Sequence, residues 1–341
     1  MYTKSTMNEY HNKLRDVADQ LMTPGKGILA ADESDSTAGA RLETVDLENN
    51  EENRRRYREL FLNADNIESY LSGVILFTET LDQKSNDGVL FPKLLDQRGV
   101  IPGVKVDLGT VPLPGFEGEV VTEGLDGLGD RLDSYRDSGA SFTKWRAVIT
   151  IGEDIPTPEA IHANAITLAR YAKIAQEHGY VPIVEPEVIY AGDHSFKRSA
   201  EVTEAVLKEV CYQMDRFRVD CQAAIIKTSM VLPGRESGEE VDDKTIATET
   251  VRVLKSAISA DMAGVVFLSG GQEPDEATRH LNEIAKQEPL PFELAFSYGR
   301  AIQQPVLDIW AGDDANFPAA REELIKRLQI NTQADKGELT A

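Results

Sequence analysis

The chain has 341 residues, 41% of them hydrophobic and 28% charged, which is enough to bury the core of one large α/β domain or two smaller ones. Its formal charge of −22 argues against nucleic acid and anionic membrane as partners, because both are met by basic surfaces. The two cysteines, Cys211 and Cys221, lack CxxC spacing and read as reduced thiols. The N-terminus has no apolar signal segment, and no run approaches the roughly 18 apolar residues of a membrane span, so a cytoplasmic protein is expected.

In chain order, a helix around residues 7–22 is followed by the strand GILAAD (27–32), the helix EENRRRYRELFLNA and the strand GVILF (73–77). A short helical piece within DQKSNDGVLFPKLLDQRG leads to GVKVD (103–107). The helix TEGLDGLGDRLDSYRDSG then precedes FTKWRAVI (142–149), and PEAIHANAITLARYAKIAQEHG precedes VPIVEPEV (181–188). Next, SFKRSAEVTEAVLKEVCYQMDRF leads to AAIIKTSM (223–230), DKTIATETVRVLKSAISA to GVVFLSG (264–270), and EPDEATRHLNEIAKQE to FELAFSYG (292–299). The helices place apolar residues three and four apart, while the strands are short apolar runs bounded by turn residues. Such alternation predicts a parallel (β/α)8 TIM barrel. It would form a single domain over residues 1–341, with an N-terminal helix, a core of about 24–312 and a helical tail at 313–341. The last dozen residues have little to bury and are expected to be mobile.

In such a barrel the chemistry belongs at the C-terminal strand ends, and polar residues gather there. Asp32 ends the first strand, and Lys105 and Asp107 end the third. Lys144 and Arg146 lie in the fourth, Glu185 and Glu187 in the fifth, and Lys227 and Ser229 in the sixth. Ser269 ends the seventh and Ser297 the eighth. Residues two apart on a strand share a face, so these pairs would point inward while Val106, Trp145 and Pro186 point toward the helices.

The set holds the parts of an imine-forming site. Lys227 would attack a ketone, and Lys144 or Lys105 as cationic neighbours would lower its pKa. Glu185, Glu187 and Asp32 supply carboxyls for proton transfer. The same residues could instead form a salt-bridge network that only closes the barrel mouth. FLSGGQ (267–272) and SYGRA (297–301) follow the seventh and eighth strands, where backbone N–H groups and a helix N-terminus often hold phosphate. Arg300 would clamp that anion, and Arg41 could take a second phosphate. A metal could polarise the carbonyl in place of a lysine, but His11, His162, His178, His194 and His280 show no ligand spacing, and His194 reads as a loop residue.

The strings ILAADES, NEENRR, GVILFTETL, GVKVD, VPLPG, GLDGL, KWRAVI, IVEPE, GDH, FLSGGQ and SYGRA, in this order, resemble class I fructose-bisphosphate aldolase from about residue 7 to 328. The resemblance implies a barrel enzyme, usually a homotetramer, that cleaves a phosphorylated sugar, fructose 1,6-bisphosphate, reversibly to dihydroxyacetone phosphate and glyceraldehyde 3-phosphate, without metal or other cofactor. It implies Lys227 as the Schiff-base lysine, Glu185 as the acid/base for imine formation and Asp32 as acceptor of the C4-hydroxyl proton. Lys144 and Glu187 would tune and orient Lys227, and Lys105 would belong to the polar floor. Ser269, Gly270, Gly271, Ser297, Gly299 and Arg300 would bind the ketone-side phosphate. Arg41 and Arg146, assisted by Thr37, would serve the other phosphate.

Three departures stand out against the animal members of that family. Thr228-Ser229-Met230 follows the lysine in place of Pro-Asn-Met. Ala40 replaces a second basic residue beside Arg41, which implies a looser hold on the aldehyde-side phosphate. The last tyrosine is Tyr298, whereas the animal enzymes end in a tyrosine that aids proton exchange. Another lysine-imine barrel, such as a transaldolase or a single-phosphate aldolase, is the competing enzyme reading. A scaffold role would need the loss of a catalytic position, and none is lost.

Overall fold

Eight short apolar runs, each shielded by a helix, leave a parallel sheet no edge to expose if it closes on itself. The computed structural model describes residues 4–287 and 289–340, with side chains from Asn12 onward. Its strands are β1 Gly27–Ala31, β2 Leu71–Leu76, β3 Ile101–Lys105, β4 Thr110–Pro112, β5 Val120–Thr122, β6 Phe142–Ile149, β7 Val181–Val188, β8 Ile225–Thr228, β9 Gly264–Phe267 and β10 Glu293–Phe296. The helices are α1 Lys4–Leu21, α2 Asp35–Glu43, α3 Glu51–Leu62, α4 Phe91–Gln97, α5 Leu128–Ser134, α6 Pro158–Glu177, α7 Phe196–Arg216, α8 Asp243–Ala257, α9 Pro274–Ala285, α10 Arg300–Trp310 and α11 Phe317–Asp335. The eight-stranded sheet runs β1-β2-β3-β6-β7-β8-β9-β10. Across the seam, Ala30 N–H donates to the Tyr298 carbonyl at 3.0 Å.

Strand alternation divides the core in two. Leu29, Ala31, Val74, Leu76, Val104, Trp145, Val184, Ile226, Val265 and Phe267 face the helices, and Trp145 stacks on Tyr171 of α6 with ring centroids 5.3 Å apart. Ile28, Ala30, Ile75, Phe142, Val181, Ile183, Ile225, Val266 and Ala295 fill the interior together with Leu14, Ala18, Leu21 and Met22, so α1 and the residue after it plug the N-terminal end. Two glycines make that room. A Cβ on Gly264 would lie 2.4 Å from Met22 Cε, and one on Gly103 would lie 2.3 Å from the Phe142 ring.

The eight predicted barrel strands are present, and so are the predicted helices except one. The run 122–139 forms β5's end, the short α5 and a 3-10 turn at Arg136–Ser138 rather than one helix, because Gly124 and Gly127 take positive φ values of 122° and 65°. Helix α2 was not anticipated, although Ser34 caps it by accepting from Thr37 N–H. Nor was α10, or the antiparallel β4–β5 hairpin.

The tail differs as well, since it is packed rather than mobile. Asn331 is fully buried, Ala334 and Asp335 are buried, and Thr278 Oγ1 donates to Asn331 Oδ1 at 3.0 Å. Gly337 (φ 68°) ends α11 with a Schellman turn, in which Glu338 N–H donates to the Gln333 carbonyl at 2.9 Å. Leu339 N–H then donates to Asn282 Oδ1 at 2.9 Å. Contacts of Lys336 with Gly25 and of Gly337 with Lys286 place residues 336–339 at the plugged end of the barrel. Ala341 lies outside the described residues.

Candidate active site

At the open end of the barrel is a cavity of about 690 Å3. The strand parity that points Ile28, Phe142, Ile183 and Ile225 into the apolar interior carries on up the same strands. It delivers Lys144, Glu185 and Lys227 one layer higher, with Asp32 just beyond β1 and Lys105 at the end of β3. All of them line the cavity. Lys227 is 3% exposed and Lys144 4%, so both ammonium groups depend on carboxylate partners rather than water. Lys227 Nζ lies 3.3 Å from Glu185 Oε1. Lys144 Nζ bridges Glu185 Oε2 at 2.9 Å and Asp32 Oδ2 at 2.6 Å.

These partners fix the charge states. Burial alone would raise the Asp32 pKa, but Lys144 and Lys227 outweigh it and hold the carboxyl at about 2. Burial likewise opposes ionisation of Glu185, and the same two lysines win, lowering its pKa. Lys144 is pushed upward because Asp32 and Glu185 outweigh its desolvation. It is therefore a cation between two anions in the ligand-free site.

The rest of the polar ring pairs differently from expectation. Lys105 Nζ meets Asp107 Oδ1 at 2.6 Å. Glu187 contacts Arg146 rather than Lys227, and this pairing raises the arginine's pKa against the effect of burial. Every lysine and arginine that lines the cavity thus has a carboxylate neighbour, so the pocket is charge-balanced rather than simply electropositive. Ser229 leaves the site altogether: β8 stops at Thr228, and Ser229 Oγ donates to the Val188 carbonyl at 2.8 Å outside the cavity.

Two anion-receptive ends flank the lysine. On one side Ser269, Gly270, Ser297 and Gly299 line the wall. The Ser297 hydroxyl is buried without a hydrogen-bond partner among the described residues, so a ligand oxygen would satisfy it. Gly270 and Gly271 take φ values of 53° and 95°, and α10 begins directly after Gly299, with its N-terminus beside the cavity. Gly271 and Arg300 do not line the cavity. Instead, Arg300 Nη2 donates to the Gly271 carbonyl at 2.7 Å, tying the two loops together. On the other side Arg41, Arg146 and Thr37 line the cavity as expected. Arg41 Nη1 contacts Glu33 and Gln303 and lies 2.8 Å from Tyr57 Oη.

Several lining residues were not singled out from sequence: Glu33, Ser34, Ser36, Phe77, Leu108 and Tyr135. Glu33 follows a strand-end acid, which is a usable signal. Tyr135 comes from the capping position of α5 and carries no signal at all. His162 and His178 pair with Glu209 and Asp133. Among the described residues, no group of three His, Cys, Asp or Glu side chains converges to hold a metal, and no helix is long and apolar enough to cross a membrane.

The fold and site define a (β/α)8-barrel enzyme with its chemistry at the C-terminal mouth. The family described as fructose-bisphosphate aldolase class-I matches residues 13–341. A probable fructose-bisphosphate aldolase class 1 of Xanthomonas campestris is 48% identical over 326 residues, covering 95% of this chain and 98% of that one. The cytosolic fructose-bisphosphate aldolase 6 of Arabidopsis thaliana is 48% identical over 335 residues, covering 98% and 93%. A solved structure of fructose-bisphosphate aldolase from Plasmodium falciparum, in complex with TRAP and a small-molecule inhibitor, matches with a TM-score of 0.96 at 42% identity, covering 98% and 96%. The chain belongs to the class I fructose-bisphosphate aldolase family, whose members are carbon–carbon lyases.

Proposed function

We propose that this single-domain enzyme cleaves fructose 1,6-bisphosphate reversibly to dihydroxyacetone phosphate and glyceraldehyde 3-phosphate through an imine on Lys227. The observation that carries this is a buried lysine amine 3.3 Å from a buried carboxylate, in one cavity that is also lined by Ser269, Gly270, Ser297 and Gly299 and by Arg41 and Arg146. The Lys227 ammonium gives one proton through Glu185 to the C2 carbonyl oxygen as its amine adds to C2, and a second nitrogen proton follows through Glu185 to the resulting hydroxyl, which leaves as water to give the iminium. The C3–C4 bond breaks, its electrons flow into the iminium to give an enamine, and Asp32 accepts the C4-hydroxyl proton. The aldehyde departs. Protonation at C3 and hydrolysis then release the ketone phosphate and restore the amine.

Lys144 holds Asp32 and Glu185 in place. Arg146 and Glu187 flank the aldehyde side, and Lys105 with Asp107 forms the floor. Ser269, Gly270, Gly271, Ser297, Gly299 and Arg300 serve the ketone-side phosphate, and Arg41, with Thr37, the other. The working form we propose is a cytoplasmic homotetramer. The cytosolic Arabidopsis relative and the acidic composition support the compartment, and the family resemblance supports the assembly.

A coupled assay comparing fructose 1,6-bisphosphate with fructose 1-phosphate tests this reading. Arg41→Ala is expected to lower kcat/KM about 10- to 100-fold for the bisphosphate and far less for the monophosphate. Equal losses on both substrates would count against the assignment of the second phosphate site.

A further inference from the structure

His280, on α9, is 2% exposed and takes no part in the chemistry above. Its Nδ1 lies 2.6 Å from Gln272 Oε1, and its Nε2 lies 3.2 Å from Asp243 Oδ1. The Gln272 amide is oriented by its other end, where Nε2 donates to the Ser269 carbonyl at 3.1 Å, so oxygen is the atom that faces the ring. Both ring nitrogens of His280 therefore face acceptors, and only the doubly protonated ring can donate to both. Asp243 is braced in turn by Arg279 Nε at 3.1 Å. Gln272 also donates its backbone N–H to the same Ser269 carbonyl at 2.9 Å, closing the turn that contains Gly270 and Gly271.

We propose that Gln272 and His280 are positioning residues for the Ser269–Gly271 loop: Asp243 and His280 orient the Gln272 amide, which clamps the Ser269 carbonyl and so sets the affinity of the site for the ketone-side phosphate. The inference rests on the reading that this loop holds that phosphate. The charged groups acting on the ring are Asp243 from α8 and Glu276 and Arg279 from α9. Burial outweighs the two carboxylates and lowers the pKa of His280 from its ordinary 6.5. Acidification through that lower range completes both hydrogen bonds, and phosphate affinity rises.

The test is KM for fructose 1,6-bisphosphate, with inhibition by inorganic phosphate, from about pH 5 to 8 in wild type, His280→Gln, Asp243→Asn and Ser269→Ala. In His280→Gln, KM is expected to lie about three- to tenfold above wild type at the acid end, with kcat moved by less than about twofold. The residual pH dependence would be that of the substrate phosphates alone. Asp243→Asn, at a partly exposed helix start, should shift the transition to lower pH, and it decides the matter if His280→Gln does not fold. Profiles of both variants that superimpose on wild type would overturn the proposal. Ser269→Ala separates the two readings. If it leaves KM unchanged, the phosphate assignment itself fails; if it raises KM while the other variants follow wild type, only the positioning role fails.

Discussion

The lower and upper halves of the barrel interior are made by the same strands in the same parity, yet they behave as different media. Lys227 lies two positions beyond Ile225, Glu185 two beyond Ile183 and Lys144 two beyond Phe142, and each step reaches the next residue on the same strand face. The lower layer is sealed by Leu14, Ala18, Leu21 and Met22, and its side chains there are apolar. The upper layer also buries charge, at Lys144, Glu185 and Lys227, but supplies each ammonium with a carboxylate. The central side chains of both layers are buried, and what differs is pairing. Pairing is what allows a lysine to be both buried and chemically available.

The comparison can be broken at the top first. Lys227→Met is expected to cost about 10^4-fold or more in kcat while the fold persists, because Glu185 keeps Lys144. Steady-state kinetics with a thermal melt checks both halves of that statement. At the bottom the outcome inverts. Ile225→Lys places an unpaired charge among apolar side chains and should cost roughly 4 kcal/mol or prevent folding, whereas Ile225→Val should cost only about 1 kcal/mol. Urea titrations of the two variants would show whether pairing, rather than position along the strand, is what the upper layer provides.

A smaller effect comes from acid. The folded pKa of Asp32, about 2, is depressed below its ordinary 3.8. Its stabilisation is therefore fully present above the ordinary value and is lost as pH falls from about 4 to 2, a contribution of roughly 2 kcal/mol. Glu185, whose pKa is also lowered, has the same sign. Between pH 5 and 2.5 the wild type should lose roughly 2 kcal/mol more unfolding free energy than Asp32→Asn, and parallel losses would contradict the pairing. The smallest effect is expected at the plugged end. Deleting residues 337–341 removes the Schellman turn and the Leu339 contact with Asn282, and should lower stability by about 1 kcal/mol with kcat unchanged, since the described part of that segment lies far from the mouth.

Much of this contrast was legible in the sequence, because period two is a property of extended backbone and because apolar-then-charged runs such as AIIK and IVEPE state where the core ends. Alternation fails where the strand does. Ser229 was grouped with Lys227, but β8 ends one residue earlier and the hydroxyl turns to Val188. Contacts between separate loops were also invisible, among them the hydrogen bond by which Arg300 holds the Gly271 carbonyl. The tail was misjudged because its partners, Thr278 and Asn282, lie on α9, far away in sequence. Tyr135 enters the cavity from the C-terminal end of α5, a placement that polarity patterns do not register.

The most direct test of the central claim is borohydride reduction in the presence of dihydroxyacetone phosphate and EDTA, followed by peptide mass mapping. A single reduced adduct on Lys227 is the expected result. An adduct on Lys144 or Lys105, or none at all with activity abolished by EDTA, would contradict it.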